Sequence, residues 1–333
     1  MNSRVVSRRV ALRALGATAL AGFLPGCAAG SVPVPEQNLA GHKGQPRLVF
    51  ATTRKPAGDG TKSPWFSGER GARTTVGELF FYTRTGSFAS MLASTVNGTW
   101  SIDAVRPVTT DRPALVLPRL LDGKEPLLYT HGYNETFESA AISLAELADG
   151  IKYPGQPVLF SWPSRGALFD YGYDRESALW SRDALEECLT ALVKDPSVPR
   201  LHLVAHSMGT LLMVETLRQM RTRDGDTLDN RFGAIVLAAP DIDLDLFTNS
   251  LKRIGPLAKR FTVIISQKDR ALELSSAIAG GARVGSASRD ALEKLGVQVA
   301  DASNFGSGWI GHDTFLYDKD VRAVVKRAIE RAS

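Results

Sequence analysis

Beyond Glu125 the chain alternates short apolar runs with longer stretches in which apolar residues recur every three or four positions. The runs are "PLLYTHG" (126–132), "PVLFSWP" (157–163), "RLHLVAHS" (200–207), "GAIVLAAP" (233–240), "FTVIISQ" (261–267) and "VQVADAS" (297–303). Between and after them lie the helical patterns "ESAAISLAELADGI" (138–151), "SRDALEECLTALVKD" (181–195) and "LLMVETLRQM" (211–220), the segment 244–259, a helix near 288–295 and a last one at 319–331. Strand–helix alternation predicts a parallel sheet with helices on both faces, and runs such as "AIVLAA", apolar throughout, read as fully buried strands. Upstream the pattern is β-rich, with "RLVFATT" (47–53), "GELFFYT" (77–83) and "STVNGTWSIDAVRPV" (94–108), where Asn97-Gly98 is a hairpin signal that predicts antiparallel pairing. The expected class is therefore α/β, a doubly wound, mostly parallel sheet with an antiparallel N-terminal edge. In such sheets the working residues sit at the carboxyl ends of the strands.

The first 27 residues read as an address. Paired arginines, Arg8 and Arg9, precede the small, apolar run "ALGATALAGFLPG", which ends in "LPGC" (Leu24 to Cys27). This resembles a twin-arginine export signal closed by a lipobox, with Pro25 an unusual occupant of that box, and it predicts a protein exported across a bacterial inner membrane to the periplasmic side and lipid-anchored at Cys27, with either membrane open as the one that holds it. Residues 28–46 are rich in proline, glycine and polar side chains, as a tether would be, and the folded domain is expected over 47–333. The formal net charge is +5, yet Arg4, Arg8, Arg9 and Arg13 all fall in the leader, so the remainder is nearly neutral with the two signs mixed. Nucleic acid is thereby excluded as a partner. The second cysteine, Cys188, lies in a helical pattern and reads as a buried, inert thiol.

Candidate chemistry centres on "AHSMG" (205–209), where an apolar strand turns into a helix. A serine on such a turn is exposed above the sheet only if the residues two before and two after it are small; Ala205 and Gly209 meet that demand, with alanine in place of the usual first glycine. Ser207 is the expected nucleophile, and the backbone N–H of Met208 points at the oxygen that becomes negative. The loop after "LLYT" supplies Gly132 and a second backbone donor, the N–H of Tyr133, while His131 is expected to pack beneath the loop. The acid and base should follow the serine in chain order: Asp269 lies just past "FTVIIS", and His312 in the Gly-rich "SNFGSGWIGHDTF" beyond the last strand. Asp241, after "AIVLAAP", is the competing acid. His202 is expected in the core.

These residues, together with "VFATTRKP", "FSGERG", "LLYTHGYNETFESA", "LFSWPS", "YGYDRESA", "APDID", "ISQKDRALELS" and "GARVG", resemble bacterial α/β-hydrolases of the DUF900 family, which are similar to serine esterases and lipases. The resemblance spans nearly all of 47–333. It implies an α/β-hydrolase fold with Ser207 as nucleophile, Asp269 as acid and His312 as base, acting on an ester through an acyl-enzyme, and it implies no metal or cofactor. Trp162, Phe169, Tyr171 and Tyr173 are the candidate apolar rim of the substrate site. Only about twenty residues separate "AIVLAAP" from "FTVIISQ", room for one amphipathic helix but not for a multi-helix lid, so short or medium acyl esters are favoured. A thioesterase, amidase or acyltransferase using the same triad, and an idle envelope scaffold, stay open as alternatives.

The address has a direct test by cell fractionation. Lysine in place of Arg8 and Arg9 is expected to block translocation, and Cys27→Ser to allow export while releasing the protein from the membrane fraction. A Cys27→Ser protein that still sediments with membranes removes the lipobox.

Overall fold

Each apolar run of the C-terminal part forms a strand, and the reason is visible in which side chains each strand buries. The computed structural model describes residues 46–58, 60–83, 100–165, 170–227, 229–266, 272, 275–276, 281–303 and 318–332, all within one compact unit. The strands are β1 (Arg47–Pro56), β2 (Phe66–Thr83), β3 (Trp100–Val108), β4 (Pro126–Thr130), β5 (Gln156–Ser161), β6 (Leu201–His206), β7 (Phe232–Ala238), β8 (Phe261–Ile265) and β9 (Gln298–Asp301). They join in one sheet of order β3-β2-β1-β5-β4-β6-β7-β8-β9. Pairing is antiparallel from β3 to β1 and parallel from β1 through β9. The Asn97-Gly98 turn lies outside the described residues.

Helices cover both faces. In chain order they are α1 (Pro113–Leu120), α2 (Phe137–Gly150), α3 (Tyr171–Trp180), α4 (Arg182–Lys194), α5 (Met208–Asp224), α6 (Leu244–Ile254), α7 (Arg289–Glu293) and α8 (Lys319–Ala332). Strand residues alternate between two cores because successive side chains point to opposite faces. Leu128, Leu203, Leu237 and Val263 pack with α1, α4, α5 and α6, whereas Leu127, Tyr129, Val204 and Ile264 pack with α2 and α8. A strand apolar on both faces has no solvated side, which is why the central runs lack period-two polarity. Helix α2 begins where Thr136 and Ser139 cap each other: the Thr136 hydroxyl accepts from the Ser139 N–H and the Ser139 hydroxyl from the Thr136 N–H, a capping box with serine in the place usually held by Glu or Gln.

Three elements depart from expectation. Strand β2 starts at Phe66 rather than near residue 77, because Arg54 and Pro56 of β1 pair with Arg70 and Phe66 past a register shift. The glycines and charges of "FSGERGAR" hide that strand from an alternation test. Helix α1 carries Pro113 in its first turn and Pro118 inside, and prolines argue against helix in a sequence reading. Helix α3 buries Tyr171, Asp174, Ser177 and Ala178, an inward face that is largely polar and so lacks apolar periodicity. Among the described residues no helix is long and apolar enough to cross a membrane; the export signal, Cys27 and the tether up to residue 45 fall outside them.

Cys188 is fully buried on α4, and burial pushes its thiol up to about 12. Reaction needs the thiolate. At pH 8 Cys188 is therefore expected to resist a disulfide reagent in the native protein and to react once denaturant is added, as peptide mapping of the labelled cysteines will read.

Candidate active site

The strand β6 and the helix α5 meet at Ser207, and the backbone there is forced into an unusual shape. Ser207 has φ 49° and ψ −124°, a left-handed conformation that costs a non-glycine residue about 1–3 kcal/mol and persists only where surroundings impose it. Its N–H donates to the Ala238 carbonyl at 3.0 Å, its carbonyl accepts from Thr210 N–H at 3.0 Å, and Asp241 N–H approaches the same oxygen at 3.3 Å. The serine is thus sewn between the ends of β6 and β7. It stands at the N-cap of a seventeen-residue helix, so the positive end of the α5 dipole and the N–H of Met208 lie beside its side chain.

Small residues make this approach possible. A β-carbon on Gly209 would overlap the carbonyl oxygens of His131 and Thr130, so only glycine lets the first turn of α5 sit against the end of β4. A β-carbon on Gly132 would lie 2.9 Å from the Ser207 β-carbon and 3.0 Å from His206 Nδ1. The loop that follows β4 therefore touches the serine through bare backbone, with Tyr133 the next residue. Ala205 is fully buried under the turn.

The side chains expected to act with Ser207 divide into those the structure describes and those it does not. Asp269, His312 and Phe169 lie outside the described residues. His131 is fully buried and stacked on Trp162 with centroids 4.8 Å apart; burial, then the nearby Arg54 charge, hold its pKa well below the ordinary value, so the ring is neutral. His202 stands at the far end of β6, its Nδ1 accepting from the Ala234 N–H at 3.0 Å and its Nε2 3.3 Å from the Glu125 carboxylate. Among the described residues no group of three or more His, Cys, Asp or Glu is placed to hold a metal ion.

The rim reading needs correction. Trp162 has no exposed surface: its indole N–H donates to the His131 carbonyl at 2.9 Å and its ring packs beneath the loop. Tyr171 meets Tyr133 edge-on at 5.5 Å, but it is 8% exposed and its hydroxyl turns inward, donating to Asp241 Oδ2 at 3.0 Å. Tyr173 is the partly exposed member, with the Arg165 guanidinium 3.5 Å from its ring centre and that of Arg70 at 5.0 Å. A volume of about 600 Å³ elsewhere, lined by Leu115, Glu187, Lys194 and Arg223, opens between α1 and α4. Lys194 and Arg223 close helices that lead to the amino ends of β6 and β7, so this cleft lies at the end of the strands opposite Ser207.

Asp241 is described, and its carboxylate is fully engaged. Tyr171 donates to one oxygen, the Ser275 hydroxyl donates to the other, and Arg283 Nε lies 3.3 Å from that second oxygen, with Asp241 and Arg283 both buried. The charge is balanced inside the fold. Arg54, in "VFATTRKP", is a residue that sequence reasoning passed over: a cation followed by Lys-Pro reads as the solvated end of a strand, yet Arg54 is 1% exposed and lies under the loop that touches Ser207.

A family model described as "Alpha/beta hydrolase of unknown function (DUF900)" matches residues 119–329. The chain belongs to this family. The hydrolase is also similar to an uncharacterized protein, alr1448, of Nostoc sp., with 30% identity over 123 residues. That match covers 29% of this chain and 32% of the relative, so it spans about a third of the relative's length. Similar solved structures include a CIB-like hydrolase from Thermoplasma acidophilum, at 15% identity, 68% and 91% coverage of the two chains and a TM-score of 0.36. Another is the carboxylesterase EstE1 from a metagenomic library, at 12% identity, 78% and 86% coverage and a TM-score of 0.38.

The engagement of Asp241 in the hydrolase has a measurable cost. Asp241→Asn leaves Arg283 buried without its counter-charge and is expected to lower unfolding free energy by about 3–5 kcal/mol. Urea unfolding of the two proteins reads the difference.

Proposed function

We propose that the protein is a serine hydrolase that cleaves carboxylic esters through an acyl-enzyme, with Ser207 as nucleophile, His312 as general base and Asp269 as the acid that orients it. The observation that carries this reading is the left-handed Ser207 at the junction of β6 and α5, approached by the bare backbone of Gly132. Strain of that kind is retained where a side chain must be presented in one direction. His312 takes the serine proton as Oγ attacks the ester carbonyl, the N–H groups of Met208 and Tyr133 hold the oxyanion, and His312 returns the proton to the leaving alcohol. Water then releases the acid by the same steps. The choice of Asp269 over Asp241 is supported by the Asp241–Arg283 pair, since a carboxylate balanced by a buried guanidinium is a weak stabiliser of imidazolium.

The size of the substrate follows from what lies between β7 and β8. Helix α6 buries Phe247, Leu251 and Ile254 against the body, and the rest of that interval is the five-residue loop 239–243 and a short 3-10 helix, Gly255–Arg260. This favours dissolved esters of short or medium acyl chain. With the address of residues 1–27, the enzyme is read as acting outside the inner membrane, tethered through Cys27.

The full chain is expected to be labelled by a fluorophosphonate at Ser207, and Ser207→Ala to lose labelling and ester hydrolysis while melting as the parent does. Asp269→Asn is expected to lower kcat on the order of 10⁴-fold, the wrong-tautomer effect known for a serine protease triad, and Asp241→Asn far less per active site. Rates for p-nitrophenyl esters, followed across the solubility limit, should show no jump for the long chain. Labelling at a different serine in the Ser207→Ala protein would falsify the assignment.

A further inference from the structure

The loop between β4 and α2 carries Tyr133, whose N–H is the proposed second oxyanion donor, and the direction of that N–H is set from below. Arg54, on β1, reaches under the loop with all of its donors used. Nε donates to Ser161 Oγ at 2.8 Å, Nη1 to the carbonyls of Ser164 at 2.8 Å and Ser67 at 3.3 Å, and Nη2 to the Glu135 carbonyl at 2.6 Å and His131 Nε2 at 3.4 Å. A guanidinium has five N–H groups and each meets one acceptor here. Among the described residues no carboxylate comes within ion-pairing distance of it. A buried cation with no carboxylate in direct contact, its burial offset in part by the more distant charges of Glu138, Asp174 and Glu135, is still expensive, and its retention calls for a role.

The role follows from hydrogen-bond bookkeeping at His131. Its Nε2 receives the Trp162 backbone N–H at 3.1 Å, the Ser161 hydroxyl at 3.1 Å and the Arg54 N–H at 3.4 Å, so Nε2 is the unprotonated nitrogen. The proton is then on Nδ1, which donates to the Gly132 carbonyl at 2.9 Å. In a trans peptide the C=O and the next N–H point in opposite directions, and the Gly132–Tyr133 bond is trans. Holding the Gly132 oxygen toward His131 therefore turns the Tyr133 N–H the other way. The far end of the loop is held as well, by Arg54 on the Glu135 carbonyl and by the Ser164 hydroxyl on the Glu135 N–H at 3.2 Å.

The geometry points to Arg54 as the positioning residue of the oxyanion donor: its fork holds His131 in the Nδ1–H form and anchors the Glu135 carbonyl, and so aims the Tyr133 N–H. This rests on Ser207 being the nucleophile. Burial lowers the guanidinium to about 10, so it stays charged at neutral pH, and its charge disfavours a second proton on His131. Arg54 touches no substrate; it acts through the loop. A donor aimed at the transition-state oxygen affects turnover and leaves ground-state binding alone.

The test is Arg54→Lys in the full chain, which keeps the charge and loses the fork. Active sites are counted by fluorophosphonate labelling run to completion, so that unfolded protein does not enter the rate. For p-nitrophenyl butyrate, kcat per labelled site is expected to fall about 10²-fold, as when one oxyanion donor is lost, with KM within about threefold of the parent. Combining Arg54→Lys with His131→Leu should cost no more than the larger single change, because both break one chain of contacts. An unchanged kcat per site, or a KM that rises in step with the loss, overturns the proposal. Should Arg54→Lys fail to fold, Ser161→Ala removes one acceptor of the fork together with the hydroxyl on His131 Nε2, and it is expected to lower kcat per site about tenfold, an unchanged kcat again overturning the proposal. Failure of the nucleophile reading is seen separately, as parent protein labelled at a serine other than Ser207.

Discussion

Three backbone segments crowd together at the carboxyl end of β6, and their separation is less than a side chain requires. The first turn of α5 rests on the last carbonyls of β4 through Gly209, and the loop after β4 rests on Ser207 through Gly132. Neither contact survives a methyl group unless the backbone moves. Because strand and helix are each anchored elsewhere by buried apolar faces, strain appears at the residue that joins them, Ser207, and Asn134 of the loop and Ala239 after β7 share its positive φ. Its left-handed backbone is the outcome of packing on both sides of the sheet, and the presentation of its hydroxyl follows from that backbone.

Two buried guanidinium groups organise the surroundings in different ways. Arg283 is matched by Asp241, and the pair ties the segment after β7 to Tyr171 of α3 and to Ser275. Arg54 has no carboxylate within ion-pairing distance among the described residues, Glu138, Asp174 and Glu135 acting on it only from farther off, and it is solvated by carbonyls, a hydroxyl and an imidazole. Carbonyl oxygens from loops are directional acceptors. A cation that collects them from Ser67, Glu135 and Ser164 draws three chain segments to one point, which a pair with a single carboxylate would not do. The loop after β4 thereby gains its order from β1, which joins the sheet two strands away, with β5 between them.

The aromatic residues near the site show how local composition misleads. Trp162, Tyr171 and Tyr173 fall close together in sequence, yet they serve three environments: a stack beneath the loop, a hydroxyl turned into a buried ion pair, and a ring between arginines at the surface. A run of aromatics states only that large apolar area is available. Which rings face substrate depends on the path of the chain after β5 and on how α3 is rolled, and α3 has no apolar stripe to announce its orientation.

The sequence by itself determined the order of strands and helices from β4 onward, apart from α3, because burial on one or both faces leaves a period in the chain itself. It also determined the station of Ser207, since a strand, a tight turn and a helix with small residues at 205 and 209 are all local features. The stations of Asp269 and His312 were legible only as chain order, and both lie outside the described residues. Tertiary structure alone decided the rest. The first half of β2 exists because β1 pairs with it past a register shift, despite a sequence poor in strand formers. Asp241 is engaged because Arg283, 42 positions later, folds back on it. Arg54 is interior because its partners come from residues 67, 131, 135, 161 and 164, brought together only when the sheet assembles. Periodicity records how a segment meets solvent, whereas a hydrogen-bond partner far along the chain leaves no trace in local pattern.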